Sequence, residues 1–72
     1  MKKNNKIKIK INGKSKLIKK KTTLKSLLTK FRLPTEKIAI ELNQNIVDKN
    51  KISKIELKNY DRIEIVHFIG GG

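Results

Sequence analysis

A small α+β domain, with one main helix packed across a mixed sheet of four to five strands, is the fold class predicted by this sequence of 72 residues. Three observations predict it: period-two alternation of isoleucine with polar residues in several short segments, a single leucine stripe at helical spacing, and turn residues between them. The length admits one domain and not two. A domain of this size buries only about 60% of the surface its unfolded chain exposes, so the core is expected to be thin and stability modest, on the order of 4 to 10 kcal/mol.

Lys6 to Ile11 places Ile7, Ile9 and Ile11 on one side and Lys6, Lys8 and Lys10 on the other, the pattern of a half-buried strand. Asn12-Gly13 follows, and both residues tolerate the positive φ that a two-residue hairpin requires, so the chain should reverse into a second strand across Lys16 to Lys19. Thr22 or Thr23 can cap a helix through its hydroxyl oxygen. Leu24, Leu27, Leu28 and Phe31 then form one apolar stripe, read as core, and the helix should end near Arg32 because Pro34 disfavours helical geometry at Leu33. Ile38, Ile40 and Leu42 alternate as a third strand. Asn43-Gln44-Asn45 is turn chemistry, Ile46-Val47 a short return strand, and Asp48 to Leu57 an irregular connection with room for one helical turn. Arg62 to Ile69 is the longest β-rich segment and runs directly into Gly70, Gly71 and Gly72. This order is that of the β-grasp, or ubiquitin-like, arrangement. The first and last strands should lie parallel at the centre, in one domain spanning residues 1–69 with a flexible glycine tail at 70–72. Residues 1–6 are expected to be disordered.

Composition excludes several kinds of function. Cysteine is absent, which removes disulfides, zinc-thiolate sites and cysteine nucleophiles. His67 is the one histidine and has no paired carboxylate nearby in sequence, so no metal site is expected and it reads as a strand residue. No nucleophile, base and orienting group can be assembled from one histidine and six scattered acids, so no catalytic residues are expected and the chain is read as a non-enzyme. No apolar run approaches the roughly 20 residues that span a bilayer, and the N-terminal lysines precede no apolar stretch. The chain is expected to be soluble and to stay where it is made, in the cytoplasm, or in the plastid stroma if plastid-encoded. The formal charge of +13 would ordinarily point to nucleic acid. Lysine, isoleucine and asparagine dominate together and share A/T-rich codons, however, and the lysines are spread along the chain, with Lys19-Lys20-Lys21 the nearest approach to a cluster. A solvated surface is therefore expected, with no specific nucleic-acid partner.

On the last strand, Ile63, Ile65 and His67 share one face and Arg62, Glu64, Val66 and Phe68 the other. Ile63 and Ile65 should meet the helix leucines, which leaves Val66 and Phe68 on the face that a one-helix fold does not cover. That exposed apolar pair beside a tail is read as a docking surface; a bulge turning Phe68 inward is the plain alternative. Three glycines have little conformational preference and almost no width, so the tail can thread a narrow tunnel and deliver its carboxylate to another enzyme. Once adenylated with ATP, such a carboxylate can be attacked by sulfur or an amine.

Asn12-Gly13, the segment Ile38-Ala39-Ile40-Glu41-Leu42-Asn43, the stretch LKNYDRIEI from Leu57 to Ile65 and the ending VHFIGGG occur in an order that resembles the ThiS family, the sulfur carrier proteins of thiamine biosynthesis. The resemblance runs from Ile7 to the end. It implies a carrier whose C-terminal glycine, here Gly72, is adenylated with ATP by a ThiF-type adenylyltransferase, with no tightly bound cofactor of its own. The adenylate would be converted to a thiocarboxylate by a sulfur donor such as a desulfurase system, and the thiazole synthase ThiG would take the sulfur. Gly71 and Gly72 match the family diglycine, Gly70 extends it, and Phe68 and Ile69 stand where partner contacts are expected. The sequence departs from the family at Tyr60, where glycine often precedes the aspartate; a positive φ there would strain tyrosine unless Asn59 takes the left-handed role.

Two rivals share the fold: the molybdopterin synthase small subunit, MoaD, whose ending is commonly proline-rich before the glycines, and a ubiquitin-like protein modifier, which would pass its carbonyl to a lysine. A small basic RNA-binding module is the rival from another class.

Overall fold

The computed structural model describes residues 5–68. Met1 to Asn4 and Ile69 to Gly72 lie outside the described residues, and with them the tail and most of the N-terminal segment. Lys6, assigned above to that disordered segment, instead opens β1 (Lys6–Ile11), and the carbonyl of Asn5 accepts a 2.8 Å hydrogen bond from the amide of Lys20. Pairing reaches this far because Lys19, the last residue of β2 (Lys14–Lys19), stands opposite Lys6; β2 also begins two residues before the expected Lys16.

The chain folds as a β-grasp. The sheet has five strands in the order β2-β1-β5-β3-β4, with β3 (Ile38–Leu42), β4 (Asn45–Ile46) and β5 (Arg62–His67). β5 is central, parallel to β1 and antiparallel to β3. Two-residue turns close both hairpins, with positive φ at Asn12 and Gly13 in the first and at Asn43 and Gln44 in the second. β4 pairs through Asn45 and Ile46, one residue earlier than the alternation suggested.

α1 (Leu24–Lys30) crosses one face of the sheet. Thr23 is its N-cap, its hydroxyl oxygen accepting a 3.1 Å bond from the Ser26 amide. Leu24, Leu27 and Leu28 are buried against Ile9 of β1, Ile38 and Ile40 of β3, and Ile63 of β5, with Leu57 and Ile52 closing the core from the connection. A 3-10 helix over Lys49–Lys54 carries Ile52 inward, as the helical turn anticipated there should.

Phe31 departs from the expected stripe. The helix stops at Lys30, and Phe31 is its C-cap, 36% exposed, with the Lys16 ammonium 5.3 Å from the ring centroid. The reason lies in the turn that follows. Arg32 adopts φ +58°, its amide donates to the Thr29 carbonyl, and the Leu33 amide donates to the Leu28 carbonyl. This closure turns Leu33 back against the core in place of Phe31.

Tyr60 occupies the left-handed position in the turn before β5, at φ +72°, and Asn59 does not relieve it. The Asn59 side chain is engaged elsewhere, its Oδ1 accepting from the Lys8 amide at 2.8 Å. Because Tyr60 is 75% exposed, it contributes little packing to offset the strain. Tyr60→Gly is therefore expected to stabilise the fold by about 0.5–1 kcal/mol, the relieved left-handed strain less the added chain entropy of glycine, and to raise the melting temperature by a few degrees in a thermal melt.

Candidate functional site

The centre of interest is β5, because it carries the chain toward Ile69 and the three glycines. Backbone bonds tie its start to β1, with the Lys10 amide donating to Asp61 and the Asn12 amide to Ile63, both at 2.9 Å. The Asn12 side chain then continues the ladder where the β1 backbone has turned away. Its Oδ1 accepts from the Ile65 amide at 2.7 Å and its Nδ2 donates to the Ile65 carbonyl at 3.3 Å. On the other flank Asn43 takes the Arg62 amide on its Oδ1 at 2.9 Å and donates its own amide to the Arg62 carbonyl at 2.8 Å. Asp61 completes this clasp, accepting from Asn43 Nδ2 on one oxygen and from the Lys58 amide on the other. At the far end the Phe68 amide donates to the Lys37 carbonyl at 2.9 Å. The strand is thus hydrogen-bonded through its last described residue.

Asn12 and Asn43 were legible only as turn formers; that each also grips β5 through its side chain was not. Asn12→Ala leaves Ile65 without its side-chain partner and puts alanine at φ +49°, so a loss of about 1–2 kcal/mol is expected, read as a lower denaturant midpoint with unchanged slope.

The faces of β5 fall as period two requires. Ile63 is buried and Ile65 half-buried on the helix side, while His67, on the same side, lies beyond the core and is exposed. Val66 is 59% and Phe68 58% exposed on the opposite face. The β3–β5 register runs unbroken from Leu42↔Ile63 to Ile38↔His67, so no bulge turns Phe68 inward. The Phe68 ring has the Lys49 ammonium 5.3 Å from its centroid. Ile46, which the sequence reading did not single out, also faces this side and is 83% exposed. Its one local sign was its place beside an asparagine turn. The Ile69 contact position and the Gly70-Gly71-Gly72 tail lie outside the described residues.

Among the described residues no group of three His, Asp or Glu side chains is placed to hold a metal ion, and no helix is long and apolar enough to cross a membrane. The one ion pair among them, Lys58 with Glu56 at 3.6 Å, lies on the surface.

Known proteins similar to this chain complete the description. The ThiS family model matches residues 9–72. The sulfur carrier protein ThiS of Bacillus subtilis is 40% identical over 65 residues, covering 89% of this chain and 98% of that protein. The thiazole synthase of Magnetococcus marinus is 39% identical over 66 residues, which are 92% of this chain and 20% of that enzyme, so the chain spans about a fifth of its length. The uncharacterized protein ycf40 of Porphyra purpurea is 30% identical over 69 residues, 96% of this chain and 97% of that one. Among solved structures, the thiamine biosynthesis protein ThiS of Geobacter metallireducens superposes with a TM-score of 0.80 at 23% identity, over 92% of this chain and all of that one.

Proposed function

The chain belongs to the ThiS family, and from that premise we propose that it is a sulfur carrier of thiamine biosynthesis that works through the C-terminal carboxylate of Gly72. The observation that carries this reading is the clasped central strand, hydrogen-bonded as far as Phe68, with four residues remaining to a terminal glycine. A rigid strand end limits where the terminus can go, while glycines give it the slimness to enter a partner's site.

The chemistry needs no side chain of the carrier. A ThiF-type adenylyltransferase brings ATP; a Gly72 carboxylate oxygen attacks the α-phosphorus and pyrophosphate leaves. The persulfide of a desulfurase-type donor then attacks the acyl carbon and AMP departs; a thiol reductant cleaves the acyl disulfide so formed, and the terminus is left as a thiocarboxylate. A thiazole synthase of the ThiG type takes up that sulfur. The likeness of this chain to a fifth of a thiazole synthase supports that pairing, since a carrier-like segment and the synthase share one polypeptide there. Val66, Phe68 and Ile69 are the residues proposed to meet the partners, the first two presented on the open sheet face.

The test is an intact-mass measurement after incubating the full chain with ATP, a ThiF-type enzyme and a sulfur donor. A gain equal to the difference between sulfur and oxygen is expected. No gain with partners shown to be active on another carrier overturns the reading. Thiazole formation with a ThiG-type synthase separates it from a molybdopterin synthase subunit, and failure to appear on lysines of other proteins separates it from a modifier.

A further inference from the structure

The sheet face turned away from α1 is banded by charge. Register places Lys6, Lys8 and Lys10 of β1 on this face, with Lys19 opposite Lys6, Leu17 opposite Lys8, and Arg62 of β5 opposite Lys10. Tyr60 flanks the same rows: its amide donates to the Lys8 carbonyl, and it lines one shallow concavity with Lys8, Lys10 and Arg62. The next row holds Glu64 opposite Glu41, and beyond it Val66 and Phe68 lead toward the tail. Lysines dispersed in the sequence are therefore gathered by strand geometry into a basic band, about 20 Å along β5 from Phe68.

Neither the cations nor Tyr60 has a part in the sulfur chemistry, and both are costly to the fold. Like charges crowd one face, and a tyrosine sits at φ +72° where glycine would be unstrained. Strain of this kind points to use. We propose that this band binds single-stranded nucleic acid, with a base stacking on the Tyr60 ring and phosphates meeting Lys6, Lys8, Lys10, Lys19 and Arg62.

The geometry favours this occupant over others. Alternate lysines of β1 recur about every 6.6 Å and span about 13 Å, a track for a chain of phosphates instead of one nucleotide. A sheet face offers no rod to enter a duplex groove. An acidic protein surface would satisfy the cations but give Tyr60, 75% open to solvent, no role. Because the band lies at the start of β5 and Phe68 just past its end, a bound strand leaves Phe68 uncovered. This inference stands independently of the sulfur-carrier reading.

Fluorescence anisotropy of the full chain with a labelled oligouridine of about 12 nucleotides tests it, at low and at physiological salt. The triple variant Lys8→Gln, Lys10→Gln, Arg62→Gln is expected to weaken binding about tenfold or more and flatten the salt dependence. The charge-matched triple Lys25→Gln, Lys30→Gln, Lys51→Gln, at exposed positions off this face, should change it by less than about threefold. Tyr60→Gly removes the ring while relaxing the backbone, and should weaken binding about fivefold or more despite a higher melting temperature. Equal losses from the two triples would reduce the effect to diffuse net charge and overturn the proposal. So would uridine monophosphate binding as tightly as the oligomer, polyglutamate matching it with no effect of Tyr60→Gly, or no binding at physiological salt.

Discussion

Deleting Gly72 is expected to reduce thiocarboxylate formation by at least about 100-fold while leaving the fold intact. One residue fewer withdraws the carboxylate by about 3.5 Å, and a misplacement of even 1 Å at a reacting centre can cost a hundredfold. The strand cannot extend to make up the difference, because its bonds to Asn12, Asn43 and Lys37 hold the β5 backbone through Phe68. The melting temperature should not change, since the buried residues that set it run from Ile7 to Ile63. An added alanine after Gly72 is expected to be as damaging as the deletion, because it displaces the carboxylate and puts a Cβ where the tail must be thin. If either variant were charged with sulfur at the wild-type rate, the reactive atom would not be the Gly72 carboxyl carbon.

This prediction and the stability predictions bear on different parts of the same strand. Asn12→Ala loosens the grip on Ile65 without altering the terminus, so it should lower stability first and carrier activity only as the strand end gains freedom. Tyr60→Gly acts at the other end of β5 and should leave sulfur loading unchanged.

Most of the fold was legible because it is built from local signals. The isoleucine alternation of β1 and the Asn12-Gly13 turn each specify their own conformation within a few residues and stand where the pattern puts them, and the cap falls on Thr23, one of the two threonines that could supply it. What local pattern could not reveal depends on contacts between distant segments. Phe31 has helical spacing yet lies outside the core, because the turn through Arg32 delivers Leu33 there instead. Asn12 reads as a turn residue, but its amide completes a ladder 53 residues away. The lysines of β1 and β2 look dispersed until antiparallel pairing sets Lys6 opposite Lys19 on one face. Of the candidate site, the outward aim of Val66 and Phe68 followed from period two alone, whereas Ile46 joined that face only through a two-residue strand too short for periodicity to define.

The second large effect is expected from that face. Replacing Val66 and Phe68 together by aspartate should raise the KM for the carrier in ThiF-dependent adenylation by about 30-fold or more, since two such apolar anchors together contribute about 2 kcal/mol or more to an interface. The free protein should tolerate the change: both side chains are more than half exposed, and the Phe68 backbone bond to Lys37 does not involve the ring. A melting temperature within a few degrees of wild type would confirm that docking, and not folding, has been disturbed. Phe68→Leu keeps an apolar anchor and should cost far less, whereas Ile46→Asp should add to the loss only where the partner reaches past Glu41 to β4. The Lys8, Lys10, Arg62 triple should leave this KM unchanged, because its charges lie on the other side of the Glu41–Glu64 row. A carrier with both aspartates that is adenylated at the wild-type KM would show that partners grip the tail alone, and the apolar end of the sheet would then need another explanation.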